Sequence, residues 1–371
     1  MIKILQVLGT RPSGGVGAFL YNYYQYIDKA KIQFDYLMFN DNSNGDYDEK
    51  VKTLGAKVYV LPALKHKRIF KLLNSLDKFF AEHASEYSIV HLHSANLAFL
   101  VLRIAKKYGI KVRIIHAHAT VYSDKYWWKS LRNKLLWNIG CKYATDYFAC
   151  SKAAGEFYYG KEAVESGLVK VIPNAIDLEK YKFNQAIRNK IRKSLQLDDT
   201  FVVGHIGRMS PPKNQIFLLK VFDEIKKTKA NAVLLMVGDG PLRIEIEDEI
   251  LKSGLTDSVI LLGVRNDVPN LLMAMDVFVL PSLFEGLPVV CVEAQASGLK
   301  CILSNSITRE TNMGGAEYIS LQTDCKKWAL SILECEEKHN RNCFLSNLIE
   351  KGYSIKESAE ALQNYYIKLS R

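Results

Sequence analysis

The chain is short of cysteine, and what it has forms no chemical unit. Its seven cysteines make no CxxC pair and no cluster with metal-ligand spacing. They are expected to be reduced, mostly buried thiols of a cytosolic chain. Long hydrophobic runs are missing too: none approaches the ~18 residues that cross a bilayer, so no membrane-spanning helix is expected. The opening Met1-Ile-Lys-Ile-Leu-Gln-Val-Leu-Gly9 is too short for a signal peptide and reads as a first strand. No repeat of solenoid length and no low-complexity tract occurs. What remains is globular: 371 residues, 48% of them apolar, enough for two domains of ordinary size.

The charge is divided unevenly. Over residues 1–176, 25 Lys and Arg face 14 Asp and Glu, whereas residues 177–371 hold 25 of each. All of the net charge of +11 therefore lies in the first half. A basic half implies an anionic partner: nucleic acid, a phosphorylated substrate or an acidic membrane surface.

Apolar runs with strand character alternate with amphipathic stretches. Ile2–Leu8, Phe34–Phe39, Lys57–Leu61, Ile89–Leu92, Val112–His116 and Asp146–Ala149 read as strands in the first half. Val202–Ile206, Ala232–Val237, Val259–Leu262, Val277–Leu280 and Lys300–Leu303 repeat the scheme. Alternation of this kind predicts an α/β fold with two doubly wound parallel sheets. Pro173-Asn-Ala-Ile-Asp177 supplies a turn between them, giving domains 1–176 and 177–350. A last helix over 351–371 carries Ile355, Ala359, Leu362, Tyr366 and Leu369 on one face, and is expected to pack back onto the first domain.

Ligands of open parallel sheets bind beyond the carboxyl ends of the strands, and the motifs stand there. Phe284-Glu-Gly-Leu-Pro-Val-Val-Cys-Val-Glu-Ala-Gln-Ala-Ser-Gly298 is the most informative. Pro288 suits a first helical turn and Gly298 a helix end. Glu285 then precedes the helix and Glu293 lies on its second turn, with outward N–H groups at the positive helix end between them. Such a segment can grip two parts of one ligand, as a nucleotide diphosphate sugar requires; an ordinary capped helix with exposed glutamates has the same pattern.

Gly204-His-Ile-Gly-Arg-Met-Ser-Pro-Pro-Lys-Asn214 places Arg208 and Lys213 after a strand, where two cations can clamp a pyrophosphate or simply be solvated. Gly14, Gly15 and Gly17 follow the first strand and permit close backbone approach to a ligand at a helix start, or belong to a plain flexible loop; the pattern matches neither GxGxxG nor a Walker A loop. His118, after the strand Val112–His116, is a candidate for facing a ligand, with His116 turned into the sheet. Gly238, in Val237-Gly-Asp-Gly-Pro241, and Val264 and Arg265, in Gly263-Val-Arg-Asn-Asp-Val-Pro269, sit on further strand-end loops that line the same edge or are plain turns.

Together these residues resemble the family 4 glycosyltransferases, retaining enzymes of the GT-B fold, and most of all their bacterial exopolysaccharide and capsule branch. The resemblance runs through Gly14-Gly15, His118, Pro173-Asn174 with Asp177, Gly207-Arg208 with Lys213-Asn214, Gly238-Asp239-Gly240, and Glu285 with Glu293. It implies that Arg208 and Lys213 hold the diphosphate of a nucleotide sugar, UDP by family habit. It further implies that Glu293 binds the ribose and that Glu285, with the backbone of Gly286, Leu287, Pro288 and Val289, contacts sugar and phosphate. His118 would contact the transferred sugar, and the Gly14–Gly17 loop would close over the donor. The second domain would bind the donor and the first the acceptor. No metal or cofactor is implied, and no Asp-Asp or Asp-x-Asp pair is assigned as a metal box. Ala175 and Val16-Gly17 depart from the family pattern, the latter beside the acceptor.

Lys125-Tyr-Trp-Trp-Lys-Ser-Leu-Arg-Asn-Lys-Leu-Leu-Trp-Asn-Ile139 reads as a basic amphipathic helix, with Trp127, Trp128, Leu131, Leu135 and Ile139 as its apolar face. Such a face packs inward or docks on a membrane. Lys65-His-Lys-Arg68 adds a second basic cluster. The acceptor implied is a polyprenyl-diphosphate-linked saccharide, and the location the inner membrane face. The competing classes are a nucleotide-sugar epimerase, a non-catalytic nucleotide-sugar-binding subunit and a nucleic-acid binder. No recognised module supports the last.

Overall fold

The computed structural model describes residues 1–12, 15–40, 45–63, 69–120, 127–336, 341 and 344–371. The candidate Gly14, the Lys65–Arg68 cluster and Lys125 fall outside them. The chain divides into two compact units, Met1–Ile176 with Ser354–Arg371, and Asp177–Tyr353.

The first unit is built on strands β1 (Ile2–Leu8), β2 (Ile32–Phe39), β3 (Val58–Leu61), β4 (Ile89–Leu92), β5 (Val112–Ala117), β6 (Asp146–Ala149) and β7 (Val169–Val171). They form one parallel sheet in the order β3-β2-β1-β4-β5-β6-β7. Helices cover both faces, so the central strands are buried on both sides and read as unbroken apolar runs. The one charged residue inside β2, Asp35, is buried but satisfied by the Tyr87 hydroxyl at 3.0 Å and the Lys57 N–H at 2.8 Å. The final helix, Ile355–Leu369, packs Ile355, Ala359, Leu362 and Tyr366 among Phe19, Tyr23 and Phe34 of this unit.

The second unit holds β8 (Phe201–Ile206), β9 (Ala232–Val237), β10 (Val259–Leu261), β11 (Val277–Leu280), β12 (Lys300–Ser304) and β13 (Ala316–Ile319). They run parallel in the order β10-β9-β8-β11-β12-β13. The chain winds outward from β8 in one direction and returns to β11 in the other. The switch point therefore lies between β8 and β11, and in the first unit between β1 and β4.

Three local expectations need correction. The sequence reading lacks β7 and β13, edge strands of three and four residues that are only partly buried and so leave a weak apolar signature. Gly15 and Gly17 do not lie in a loop: they open the helix Gly15–Tyr26, where an added Cβ on Gly17 would press on Pro12 at 3.1 Å and Tyr47 at 3.3 Å. Of the six described cysteines, Cys150, Cys291 and Cys301 are buried and Cys141, Cys325 and Cys335 partly exposed, so burial is less general than expected.

Candidate active site

At the switch point of the second sheet, the loop after β8 meets the loop after β11. The Leu283 N–H bonds the Pro212 carbonyl at 2.8 Å, and the Asn214 side chain donates to the Pro281 carbonyl at 3.1 Å. These ties bring Lys213 Nζ within 2.6 Å of Glu285 Oε1, which also accepts from Ser282 Oγ at 2.8 Å. Gly207 lets the Lys213 stem lie over the backbone, since a Cβ there would stand 3.2 Å from its Cδ. Arg208 is exposed and makes no ion pair among the described residues. Its carbonyl is fixed by Gln215 Nε2 at 3.0 Å, and Gln215 is in turn packed on the buried His205. One cation is thus already neutralised by a carboxylate, and the other is not.

The helix after β11 is Val289–Ala296, with Pro288 as its N-cap rather than its first helical residue. No side chain caps it. Its N-terminal dipole and outward N–H groups are available to an anion. Glu285 lies in the preceding loop, with Gly286 and Leu287 between it and Pro288. Gly298 ends the segment at φ +72°, as a helix stop of this kind requires. Glu293, on the second turn, receives a hydrogen bond from the Tyr181 hydroxyl at 2.7 Å. Burial raises the Glu293 pKa, and the Tyr181 bond pulls it back.

Two further loops take narrower roles than their glycines suggested. Gly238 holds φ +129°, and a Cβ on it would collide with the Gly207 carbonyl. Its first duty is therefore to seat the β9 loop on the β8 loop. Arg265 is engaged by Asp267, at 2.8 and 2.7 Å, and leaves the exposed Val264 and the backbone as the loop's open groups.

In the first unit His118 stands just past β5, half-buried, with His116 inside the sheet. Sequence reasoning missed what surrounds them. His91 and His93, on and after β4, complete a stack of four imidazoles: ring centroids are 3.9 Å apart for His116 and His118, and 5.0 Å for His93 and His118. Burial depresses all four, His118 to about 3 and the others well below their ordinary range, so each is neutral at physiological pH. His91, His93 and His116 have spacing compatible with a metal ion. Some of their ring nitrogens are engaged, His91 Nε2 meeting His116 Nδ1 at 3.1 Å and His91 Nδ1 meeting the Tyr366 hydroxyl at 2.7 Å, whereas His116 Nε2 is buried without a hydrogen-bond partner among the described residues. The signal available in the sequence was a matching pair, His91-Leu-His93 and His116-Ala-His118, at the ends of adjacent strands.

Two aspartate pairs do occur in the sequence. In Asp46-Tyr-Asp48, the buried Asp48 is held by Arg11 at 2.7 Å; Asp198-Asp199 is an exposed turn leading into β8, at the opposite end of the sheet from the site.

The basic helix is Trp127–Cys141, and its stripe is not the buried side. Trp137 and Gly140 face inward, Gly140 because a Cβ would strike Ala98. Trp127, Leu131 and Leu135 point outward at 79, 61 and 59% exposure. Among the described residues no helix is long and apolar enough to cross a membrane.

Residues 13–180 match the family model "Glycosyltransferase Family 4", and residues 187–329 match "Glycosyl transferases group 1". The chain is 33% identical to a putative glycosyltransferase, EpsF, of Bacillus subtilis over 98% of its own length and 96% of the relative's. It is 34% identical to the UDP-Gal:alpha-D-GlcNAc-diphosphoundecaprenol alpha-1,3-galactosyltransferase of Escherichia coli, over 63% of this chain and 62% of that one. Among solved structures, Anabaena Alr3699/HepE, crystallised with UDP-glucose, superposes with a TM-score of 0.73 at 21% identity, covering 100% of this chain and 97% of that chain, a likeness of fold. The chain belongs to the family 4 glycosyltransferases and is a glycosyltransferase of the GT-B fold.

Proposed function

We propose that this enzyme moves a hexose or N-acetylhexosamine, with retention, from a UDP-sugar to a polyprenyl-diphosphate-linked saccharide in the synthesis of a bacterial surface polysaccharide. The observation that carries the reading is the β8–β11 switch point, where Arg208, the Lys213–Glu285 pair and an uncapped helix start converge. In the transfer, the bond from the anomeric carbon to the diphosphate breaks as the acceptor oxygen bonds that carbon from the same face. The departing phosphate oxygen takes the acceptor proton. Negative charge grows on the diphosphate, where a guanidinium, an ammonium and helix N–H groups lower its energy most. Glu293, oriented by Tyr181, takes the ribose hydroxyls; Glu285 and the Gly286–Val289 backbone take sugar and phosphate; His118 is the further candidate for a sugar contact. No metal or cofactor is needed in this scheme. The UDP and lipid-linked assignments draw support from the Escherichia coli relative and from two Campylobacter jejuni relatives whose acceptors are diphospho-undecaprenol saccharides.

The test is nucleotide release from UDP- and GDP-sugars with bacterial lipid as acceptor. Release from one donor that requires lipid, with a loss of about 10²-fold in Glu293→Ala, is the expected result. Tight UDP binding with no release from any donor, even with purified lipid-linked acceptors, would replace this reading with that of a non-catalytic subunit.

The enzyme works, in this reading, as a peripheral protein on the inner membrane face. The outward Trp127, Leu131 and Leu135, beside Lys129, Arg132 and Lys134, form an apolar face with a basic border on the half of the chain that carries all the net charge. Replacing those three apolar residues with Ser should weaken sedimentation with phosphatidylglycerol vesicles by about tenfold or more. Wild-type protein that stays in the supernatant at low salt would remove the membrane from the scheme.

A further inference from the structure

The histidine stack does more than fill space beneath the first unit's switch point. Gln6, on β1, lies opposite His91 in the strand register, and both are buried. Its Oε1 is 2.8 Å from His93 Nε2, and His93 Nδ1 is 2.7 Å from His118 Nε2. The carbonyl end of the Gln6 amide faces His93, and its Nε2 is buried without a hydrogen-bond partner among the described residues.

A neutral imidazole carries one N–H and one lone pair, so this string of contacts has a direction. Gln6 Oε1 can only accept, and His93 must therefore carry its proton on Nε2. His93 Nδ1 is then a lone pair, which can only accept, so the proton of His118 sits on Nε2. His118 Nδ1 is left bare. That atom is buried and has no hydrogen-bond partner among the described residues. A buried acceptor without a donor is unfavourable, and a ligand hydroxyl would relieve it.

We propose that Gln6 and His93 are positioning residues that hold His118 as its Nε2–H tautomer, so that its Nδ1 accepts a hydrogen bond from a hydroxyl of the transferred sugar. The proposal rests on the functional reading above for the identity of the ligand, but not for the tautomer. His93 does not touch the substrate. It acts by removing the alternative form of His118, in which an N–H would meet the hydroxyl and the imidazole could turn freely. The other string, Tyr366 to His91 to His116, packs against the same rings; Phe19 lies 5.2 Å from the His116 ring and 5.6 Å from the His118 ring.

The test uses the full chain with 15N-labelled histidine and long-range proton–nitrogen correlation, with His118→Asn to assign the signals. Wild type and His93→Gln, whose amide oxygen can still accept, should show His118 protonated on Nε2 alone. His93→Phe should show both tautomers. Its kcat for sugar transfer should fall about 10- to 100-fold, with less than about a fivefold change in His93→Gln and unchanged UDP affinity in both. Should His93→Phe not fold, Gln6→Leu reads the same string. A wild-type His118 protonated on Nδ1, or a single unchanged tautomer in a folded His93→Phe, overturns the proposal. If wild type transfers no sugar, the functional reading fails while the tautomer result still stands or falls by itself.

Discussion

Replacing Arg208 with Ala is expected to reduce kcat/KM for the nucleotide sugar by about 10²–10³-fold, the range for removal of one preorganised group from a developing anion. Stability should not change, because the guanidinium is exposed and has no ion pair among the described residues to lose. The size of the effect follows from its neighbour. Lys213 is already bound to Glu285 at 2.6 Å, so in the proposed scheme Arg208 is the cation of the two that would meet the diphosphate with its charge uncompensated. Gln215 holds the Arg208 carbonyl at 3.0 Å, so the loop keeps its course when the side chain is removed. Arg208→Lys should recover only part of the loss, since a single ammonium cannot make the two parallel bonds of a guanidinium to phosphate oxygens. Steady-state kinetics and urea unfolding of the same samples check both halves. A kcat/KM within about threefold of wild type would show that charge on the leaving nucleotide is met elsewhere.

How much of this was legible depended on range. The two parallel sheets could be read because strands buried on both faces leave apolar runs such as Ala232–Val237, and because cations and glutamates follow β8 and β11 at their carboxyl ends. The pairing of Lys213 with Glu285 could not be read, since it depends on backbone ties between two loops far apart in the chain. Tyr181 reaches Glu293 across a similar gap, and nothing at position 181 announces it. Periodicity found the stripe on the Trp127–Cys141 helix but not its direction. A stripe of Trp and Leu looks like core, yet Gly140 permits the opposite side to approach Ala98, and Trp137 goes in with it. Gly17 serves a nearer neighbour than a ligand: it lets a helix start close against Pro12 and Tyr47, and nothing in the local sequence names those two partners.

The Lys213–Glu285 pair yields a second large effect, with opposite signs in its two partners. Each side chain satisfies the other, at 17 and 15% exposure. Lys213→Met should weaken UDP binding by about tenfold and lower sugar transfer by about 10²-fold, because a charge near the diphosphate is lost. Glu285→Gln should lower transfer by a comparable ~10²-fold, because a sugar contact is lost, yet it should tighten UDP binding by about threefold or more. Without the carboxylate, Lys213 no longer has to leave an ion partner to meet phosphate. Stability follows a different pattern. Each single change strands a partly buried charge or dipole, at a cost of about 1–2 kcal/mol after allowance for solvent access. The Lys213→Met/Glu285→Gln double variant should be about as stable as either single one, a coupling of the same order. Calorimetric titration with UDP and urea unfolding of the four proteins measure both. Weaker UDP binding in Glu285→Gln, or stability losses that simply add, would mean that the two residues do not act as a pair before the donor arrives.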